Sequence, residues 1–270
     1  MALYDVIEDI SQKNIRKTST GDERIYGVAV GIVAEDYSDK MPGRICVTIP
    51  TRDKDANKLR WAKVVPLYTG KKWGYFFIPE KNDQVLLAFE NGNIEKPFVI
   101  GSIPRDSDTI AKQSANKDNQ TKTIQTRNGS NITFFDSKDD EGGSKDKITV
   151  TTANKQHTML YDNENKKIEI HDKEKNCHVE MLTEKGTINI KAAEKLVIKV
   201  GDGIKIMMDG QKSKITVTCG DCSISTEKSF TVSATGNVKM EGQQVTANAS
   251  GALKLSGEMS SLSGTSVKVG

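Results

Sequence analysis

Proline is missing from most of this chain. All six prolines, Pro42, Pro50, Pro66, Pro79, Pro97 and Pro104, lie at or before residue 104. Proline cannot donate to a ladder and is excluded from sheet interiors, so the long proline-free remainder, with little helical periodicity, predicts uninterrupted sheet. Aromatic residues are also scarce, at 6%. Both tryptophans, Trp61 and Trp73, sit in the front part, and from residue 187 onward Phe230 is the only aromatic. A mean hydropathy of −0.51 predicts a soluble protein with a thinner core than an enzyme of this length. The four cysteines, Cys46, Cys177, Cys219 and Cys222, are too few and too scattered for a disulfide scaffold. No apolar run approaches transmembrane length. The N-terminus "MALYDVIEDISQKN" places acids where a signal peptide needs basic residues, which predicts synthesis in the cytoplasm without a signal peptide. A net charge of +3 with 28% charged residues is nearly balanced and does not by itself point to nucleic acid. No Ser/His/Asp order and no glycine-rich phosphate loop is evident, so the chain is not expected to be an enzyme, and no cofactor or metal is expected.

What is there divides after residue 104. Residues 1–24 carry Leu3, Val6, Ile7 and Ile10 at helical spacing, with Asp5, Glu8 and Asp9 on the other face, which predicts a short helical arm docked on a neighbour. Residues 25–103 read as five or six short strands: "IYGVAVGIVAED", "GRICVTIP", "LRWAKVVPLY", "GYFFIP", "DQVLLAFE" and "KPFVIGSI". Closely spaced short strands separated by turn signals fit a small closed barrel. Residues 104–123 are polar and read as a linker. Residues 124–186 read as hairpins forming a neck, the first turning at Asn128-Gly129. The expected fold class is all-β.

Residues 187–270 carry a repeat. Apolar pairs at i and i+2 recur at near-constant intervals: Ile188/Ile190, Leu196/Ile198, Ile204/Ile206, Ile215/Val217, Cys222/Ile224, Phe230/Val232, Val238/Met240, Val245/Ala247, Leu253/Leu255 and Val267/Val269. Glycines such as Gly210, Gly220, Gly236, Gly242 and Gly251 fall between them. Fixed-period self-similarity indicates a solenoid-like architecture. A single-chain β-helix of about ten such strands would have few coils and open edges. Three intertwined chains, each giving one face of a β-prism, would let every meagre apolar pair meet two others. The second reading is preferred here, a homotrimeric β-helix with Ile188, Ile190, Leu196, Ile198, Ile204, Ile206, Ile215, Val217, Ile224, Phe230, Val232, Val238, Met240, Leu253 and Leu255 as its core.

Three local motifs have a functional and a plain reading. Cys219-Gly-Asp-Cys222 is a lone C-x-x-C, read as small apolar residues in inward register rather than a redox or metal site. His157, His171 and His178 lie on separate predicted strands and read as surface or contact residues. Trp61, Trp73, Tyr75, Phe76 and Phe77 with Lys71-Lys72 could stack bases on a barrel face, but read first as barrel core and subunit interface.

In its motif order the front part resembles the OB-fold domain of contractile-injection spikes, the family of phage baseplate assembly protein V, the phage central spike and the valine-glycine repeat proteins of type VI secretion. The matching residues are Gly43-Arg44 before an alternating strand, Trp61-Ala62, Gly74 with Ile78-Pro79, the Asp83/Val85/Phe89 run, and Gly92, Pro97 and Gly101-Ser102. "IQTRNGSNITFFDS" is similar to the segment leading from that barrel into the prism, and the resemblance spans about residues 25–270. It implies a non-enzymatic, membrane-puncturing homotrimer at the centre of a phage tail, tailocin or extracellular injection particle. The barrels would meet a tube and baseplate through a separate hub protein, and the prism would make transient contact with the target envelope. With about twenty polar residues between barrel and prism there is no room for a lysozyme insert. The last histidine, His178, leaves no metal tip of the His-X-His kind. A blunt prism end would expose strand edges, so a PAAR-type tip protein is expected at Val267, Lys268, Val269 and Gly270. The alternative is a single-chain β-helix whose OB fold binds oligosaccharide or single-stranded nucleic acid. A polysaccharide lyase would want a longer solenoid.

Overall fold

The computed structural model describes residues 7, 11, 16–52, 58–139 and 142–268. The predicted helical arm falls mostly outside these residues: of its patterned positions only Ile7 is described, and it is exposed. The chain forms two units, residues 1–193 and 194–270.

The first unit begins with a closed barrel of β1 (Ala29–Glu35), β2 (Arg44–Thr48), β3 (Arg60–Val64), β4 (Gln84–Phe89) and β5 (Pro97–Ile103). The strand order is β1-β2-β3-β5-β4, with β4 returning to β1. All pairings are antiparallel except β3 with β5. The sequence dictates this through period-two alternation. In β4, Val85, Leu87 and Phe89 point inward while Gln84, Leu86 and Ala88 are half-buried. They meet Val33, Ile45, Val47, Ile49, Ala62, Ile94 and Val99 in one core. Gly31 faces Leu87 so closely that a Cβ there would lie 2.7 Å from Leu87 Cδ1. Gly92 has φ +74 and lets Arg24 and Tyr26 pass within 3.2 Å of where its Cβ would be. The Ile25 N–H then bonds to Gly92 O at 2.9 Å, and Ile25 packs on the core.

The stretch 74–79, expected to be a strand, is not one. β3 pairs directly with β5, so the barrel is closed without it. Instead, residues 66–77 form a tight loop outside the wall, and Ile78 returns to pack against the core. Thr69 bridges to Gly74, the Gly70 N–H bonds to Trp73 O, and the Tyr75 N–H bonds to Tyr68 O, both at 2.8 Å. Gly74, at φ +152, stands where a Cβ would be 2.9 Å from Thr69 Cα. The expected linker, residues 104–123, has local structure of its own. It contains helix α1 (Thr109–Ser114), whose residues are exposed or half-exposed, and the next strand begins at Thr121.

The rest of the first unit is one antiparallel meander: β6 (Thr121–Gln125), β7 (Asn131–Phe135), β8 (Lys147–Thr151), β9 (His157–Asp162), β10 (Lys167–Asp172), β11 (His178–Leu182) and β12 (Thr187–Lys191), paired in sequence order. Asn128-Gly129 turns the first hairpin, with Gly129 at φ +95 and its N–H bonded to Thr126 O at 2.9 Å. The meander runs through the Ile188/Ile190 pair, which therefore ends this sheet.

The second unit holds a three-stranded antiparallel sheet, β13 (Lys195–Val200), β14 (Ile204–Asp209) and β15 (Lys214–Thr218). The expected strands beyond residue 218 are not formed within the chain. Among the described residues, 219–268 make no ladder and no backbone–backbone hydrogen bond, and 220–268 are exposed throughout. Each repeat there offers only two apolar side chains, often small, so neighbouring segments of one chain have too little to bury against each other. Among the described residues no helix is long and apolar enough to cross a membrane.

Candidate assembly surface

The meander's two faces differ sharply. Cross-strand register puts Ile124, Ile132, Val150, Met159, Ile170, Val179 and Ile190 side by side in one row across all seven strands. Two residues along each strand, Phe134, Ile148, Tyr161, Ile168, Met181 and Ile188 make a second row. Period-two alternation places both rows on one face. Among the described residues these rows stay half-buried to exposed: Ile170 is 48% exposed, and Ile188 64%. Fully burying such a side chain is worth ~1.5–3 kcal/mol, so covering the exposed part of these two rows is worth on the order of 10 kcal/mol per chain. Patches of this extent mark association surfaces.

The same logic holds in the second unit. Leu196, Met208 and Ile215 form one row, and Ile198, Ile206 and Val217 another. Their reverse face is mixed: Val197 pairs with Met207 on it among lysines and threonines, and Lys195 Nζ lies 3.2 Å from Asp209 Oδ2. Ile224, Phe230, Val232, Val238, Met240, Leu253, Leu255 and Val267 are exposed on the stretch without ladders, as is Lys268. Val269 and Gly270 lie outside the described residues. The residues expected to form a shared core are exposed or half-buried. The meander rows from Ile124 to Met181 were not among them. Their signal is the same i, i+2 apolar pair, in Ile148/Val150, Ile168/Ile170 and Val179/Met181, upstream of the region where the repeat is regular.

The barrel-motif residues occupy turns and strand starts. Gly43 has φ +76 just before β2, which opens at Arg44; Pro97 opens β5; Gly101 lies in β5 beside its register shift with β4; and Pro79 follows the loop. The aromatic residues assigned to the barrel core are not in it. Trp61 is half-buried, whereas Trp73, Tyr75, Phe76 and Phe77 are exposed, Phe76 at 76%. They project because the loop lies outside the closed wall. Tyr75 and Phe77 stack at 4.4 Å, and the loop lines a cleft of about 480 Å³ with Lys72 at its edge. A second cleft separates the barrel from β6, where Arg127 Nη1 reaches Glu80 Oε2 at 2.5 Å.

The meander's other face is polar. Across it run Thr123, Thr133, Thr149, Leu160, Glu169, Glu180 and Asn189. Glu169 is 1% exposed and receives Lys167 Nζ at 2.5 Å and Lys175 Nζ. Burial pushes its carboxyl up, but the hydrogen bonds from Lys167 and Lys175 and their charges prevail and hold it at about 2. His171 and His178 pair directly across β10 and β11 beside it, while His157 is exposed at the start of β9. Cys219 is half-buried and Cys222 exposed, and both are free thiols.

Residues 29–103, the span of the barrel, match a family described as the type VI secretion system/phage-baseplate injector OB domain. The barrel is thus similar to a baseplate- or spike-type domain. No curated protein matches the chain.

Proposed function

We propose that this chain is the central spike of a contractile injection machine, working as a homotrimer and making or breaking no bond. The observation that carries the reading is the pair of largely exposed apolar rows on one face of the meander, one crossing all seven strands and the other six. Three such sheets, brought face to face around an axis, enclose the rows in a closed prism. Residues 219–268 complete their backbone hydrogen bonds with neighbouring chains, which supplies the partners that buried or paired backbone requires. The injector-type barrel over residues 29–103 holds the three chains in register and meets a separate hub protein and tube or baseplate. The exposed aromatic loop 66–77 belongs to that contact. A PAAR-type tip protein caps the segment from Val267 to Gly270. Assembled in a phage tail, tailocin or extracellular particle, the shaft transmits sheath contraction to the target envelope.

The test is solution mass by light scattering after size exclusion, with and without mild detergent. The expected result is an elongated particle of three times 29.6 kDa that withstands detergent. A compact monomer overturns it. A second reading rests on the exposure of Trp73, Phe76 and Phe77 beside Lys71 and Lys72: a single-chain protein whose barrel stacks single-stranded nucleic acid or oligosaccharide on that loop. Quenching of Trp73 fluorescence by an oligonucleotide or oligosaccharide, in a monomer, favours the second reading.

A further inference from the structure

Four chemistry-bearing side chains converge on the polar face of the meander. His171 on β10 pairs directly with His178 on β11, and two residues along, Glu169 pairs with Glu180. The two-residue repeat of a strand therefore sets all four on one face. His171 Nε2 lies 3.3 Å from Glu169 Oε1, and His178 Nε2 lies 3.9 Å from the same oxygen. One donor atom each from Glu169, His178 and Glu180 falls within a 4.8 Å span. The rings stand at 89° to one another, with centroids 5.9 Å apart. Glu169, His178 and Glu180 thus form a three-ligand cluster, and His171 stands beside it against Glu169 Oε1.

The hydrogen bonding leaves the nitrogens available. His171 Nδ1 is 2.7 Å from Asp172 O. A carbonyl oxygen only accepts, so Nδ1 donates to it and Nε2 is the ring nitrogen that faces Glu169. A backbone carbonyl holding the far nitrogen of an imidazole is the outer support that metal-ligating histidines carry. His178 Nε2 is buried and has no hydrogen-bond partner. A buried, unpaired ring nitrogen calls for an explanation, and a bound ion supplies one. Glu180 gives one oxygen, Oε2, to Asn189 Nδ2 at 3.1 Å, and its other oxygen can serve as a ligand. Tetrahedral bonds of ~2.0–2.2 Å put ligand atoms about 3.4 Å apart, which the 3.3 and 3.9 Å separations bracket.

We propose that Glu169, His178 and Glu180 hold a divalent ion of the zinc class and that His171, beside Glu169, turns in as the fourth ligand, giving two imidazoles and two carboxylates. The site is complete within one chain. It lies on the face opposite the apolar rows, so it stands independently of the trimer. Two ammonium groups compete with the ion. Lys175, half-exposed in the β10–β11 turn, yields Glu169 Oε1 and swings to solvent. Lys167 keeps its bond to Oε2. The ion clamps β10 to β11 in the middle of the meander.

The test starts from full-length protein stripped with chelator and titrated calorimetrically with Zn²⁺, with Co²⁺ as a coloured substitute. The expected result is one ion per chain. Co²⁺ should give the visible bands of a four-coordinate nitrogen/oxygen site with no thiolate charge-transfer band. His171→Gln and His178→Gln should each weaken binding at least tenfold, the loss typical even of an outer-shell partner. Lys175→Gln, which removes the competing cation, should tighten it severalfold, a change that a purely structural cluster would not produce. Absence of uptake overturns the proposal. So does equal affinity in the double histidine variant, and so does a thiolate band, which would place the ion on Cys177 or on Cys219 and Cys222. Should the histidine variants fail to assemble, the Co²⁺ spectrum of the unaltered protein decides.

Discussion

Glu169 shows how one residue can govern the acid response of a sheet. Its carboxyl sits at about 2 in the folded chain against an ordinary value of 4.5. Because the folded value is depressed, the stabilisation is fully present above about pH 4.5 and is lost as pH falls toward 2. At ~1.4 kcal/mol per pKa unit the contribution is ~3 kcal/mol. Acid unfolding of the chelator-treated protein, followed by circular dichroism, should show a loss in this window that Glu169→Gln removes. An unchanged acid midpoint in that variant would separate Glu169 from the stability of the meander. Gly31 acts by its lack of a side chain. Gly31→Ala puts a Cβ 2.7 Å from Leu87 Cδ1 and 3.3 Å from Thr48 O, so Leu87 must shift within a filled core. The expected cost is ~1–3 kcal/mol, read as a lower denaturation midpoint of the barrel.

Among the elements, the barrel and the meander use the same alternation to opposite ends. In β4 the alternate residues meet four other strands and disappear from solvent. In β10 they stay half-buried or exposed: Ile170 remains exposed, while Glu169 on the reverse face is buried and paired with Lys167 and Lys175. This inversion, polar groups covered and apolar ones bare, is what a sheet that closes on copies of itself requires. Ile170→Asp puts a charge into the middle of a row. It should convert the assembled species to monomer in sedimentation velocity and leave the near-ultraviolet signal of the barrel aromatics intact. Leu87→Ala should do the reverse, costing the barrel ~2–5 kcal/mol without removing the apolar rows. An assembled Ile170→Asp protein would contradict the shared core.

For the whole molecule, the two units place different demands on assembly. The first has a self-sufficient barrel core. In the second, past Thr218, the chain has no internal hydrogen-bonded ladder among the described residues. Removing residues 219–270 should therefore leave the barrel folded and subtract detergent resistance from the assembled particle. Light scattering in rising detergent measures this directly. A truncated chain as resistant as the full one would show that the meander rows suffice.

The sequence by itself determined the all-β class, the barrel over its front part, the Asn128-Gly129 hairpin and the paired apolar residues. Each follows from local rules: proline's missing donor, the two-residue period of a strand, the left-handed glycine of a tight turn. Which apolar run lies inside was decided elsewhere. Phe76 and Phe77 carry more apolar surface than Val47, yet they are outside, because β3 pairs with β5 and closes the wall before the loop can join it. The repeat after residue 218 is legible, but its ladders are not formed within one chain, because two small apolar side chains per turn cannot cover each other. The convergence of Glu169, His171, His178 and Glu180 was equally beyond sequence reading. His171 and His178 looked like scattered histidines until the β10–β11 register set them opposite each other. Register is a property of paired strands, and only the tertiary structure fixes it.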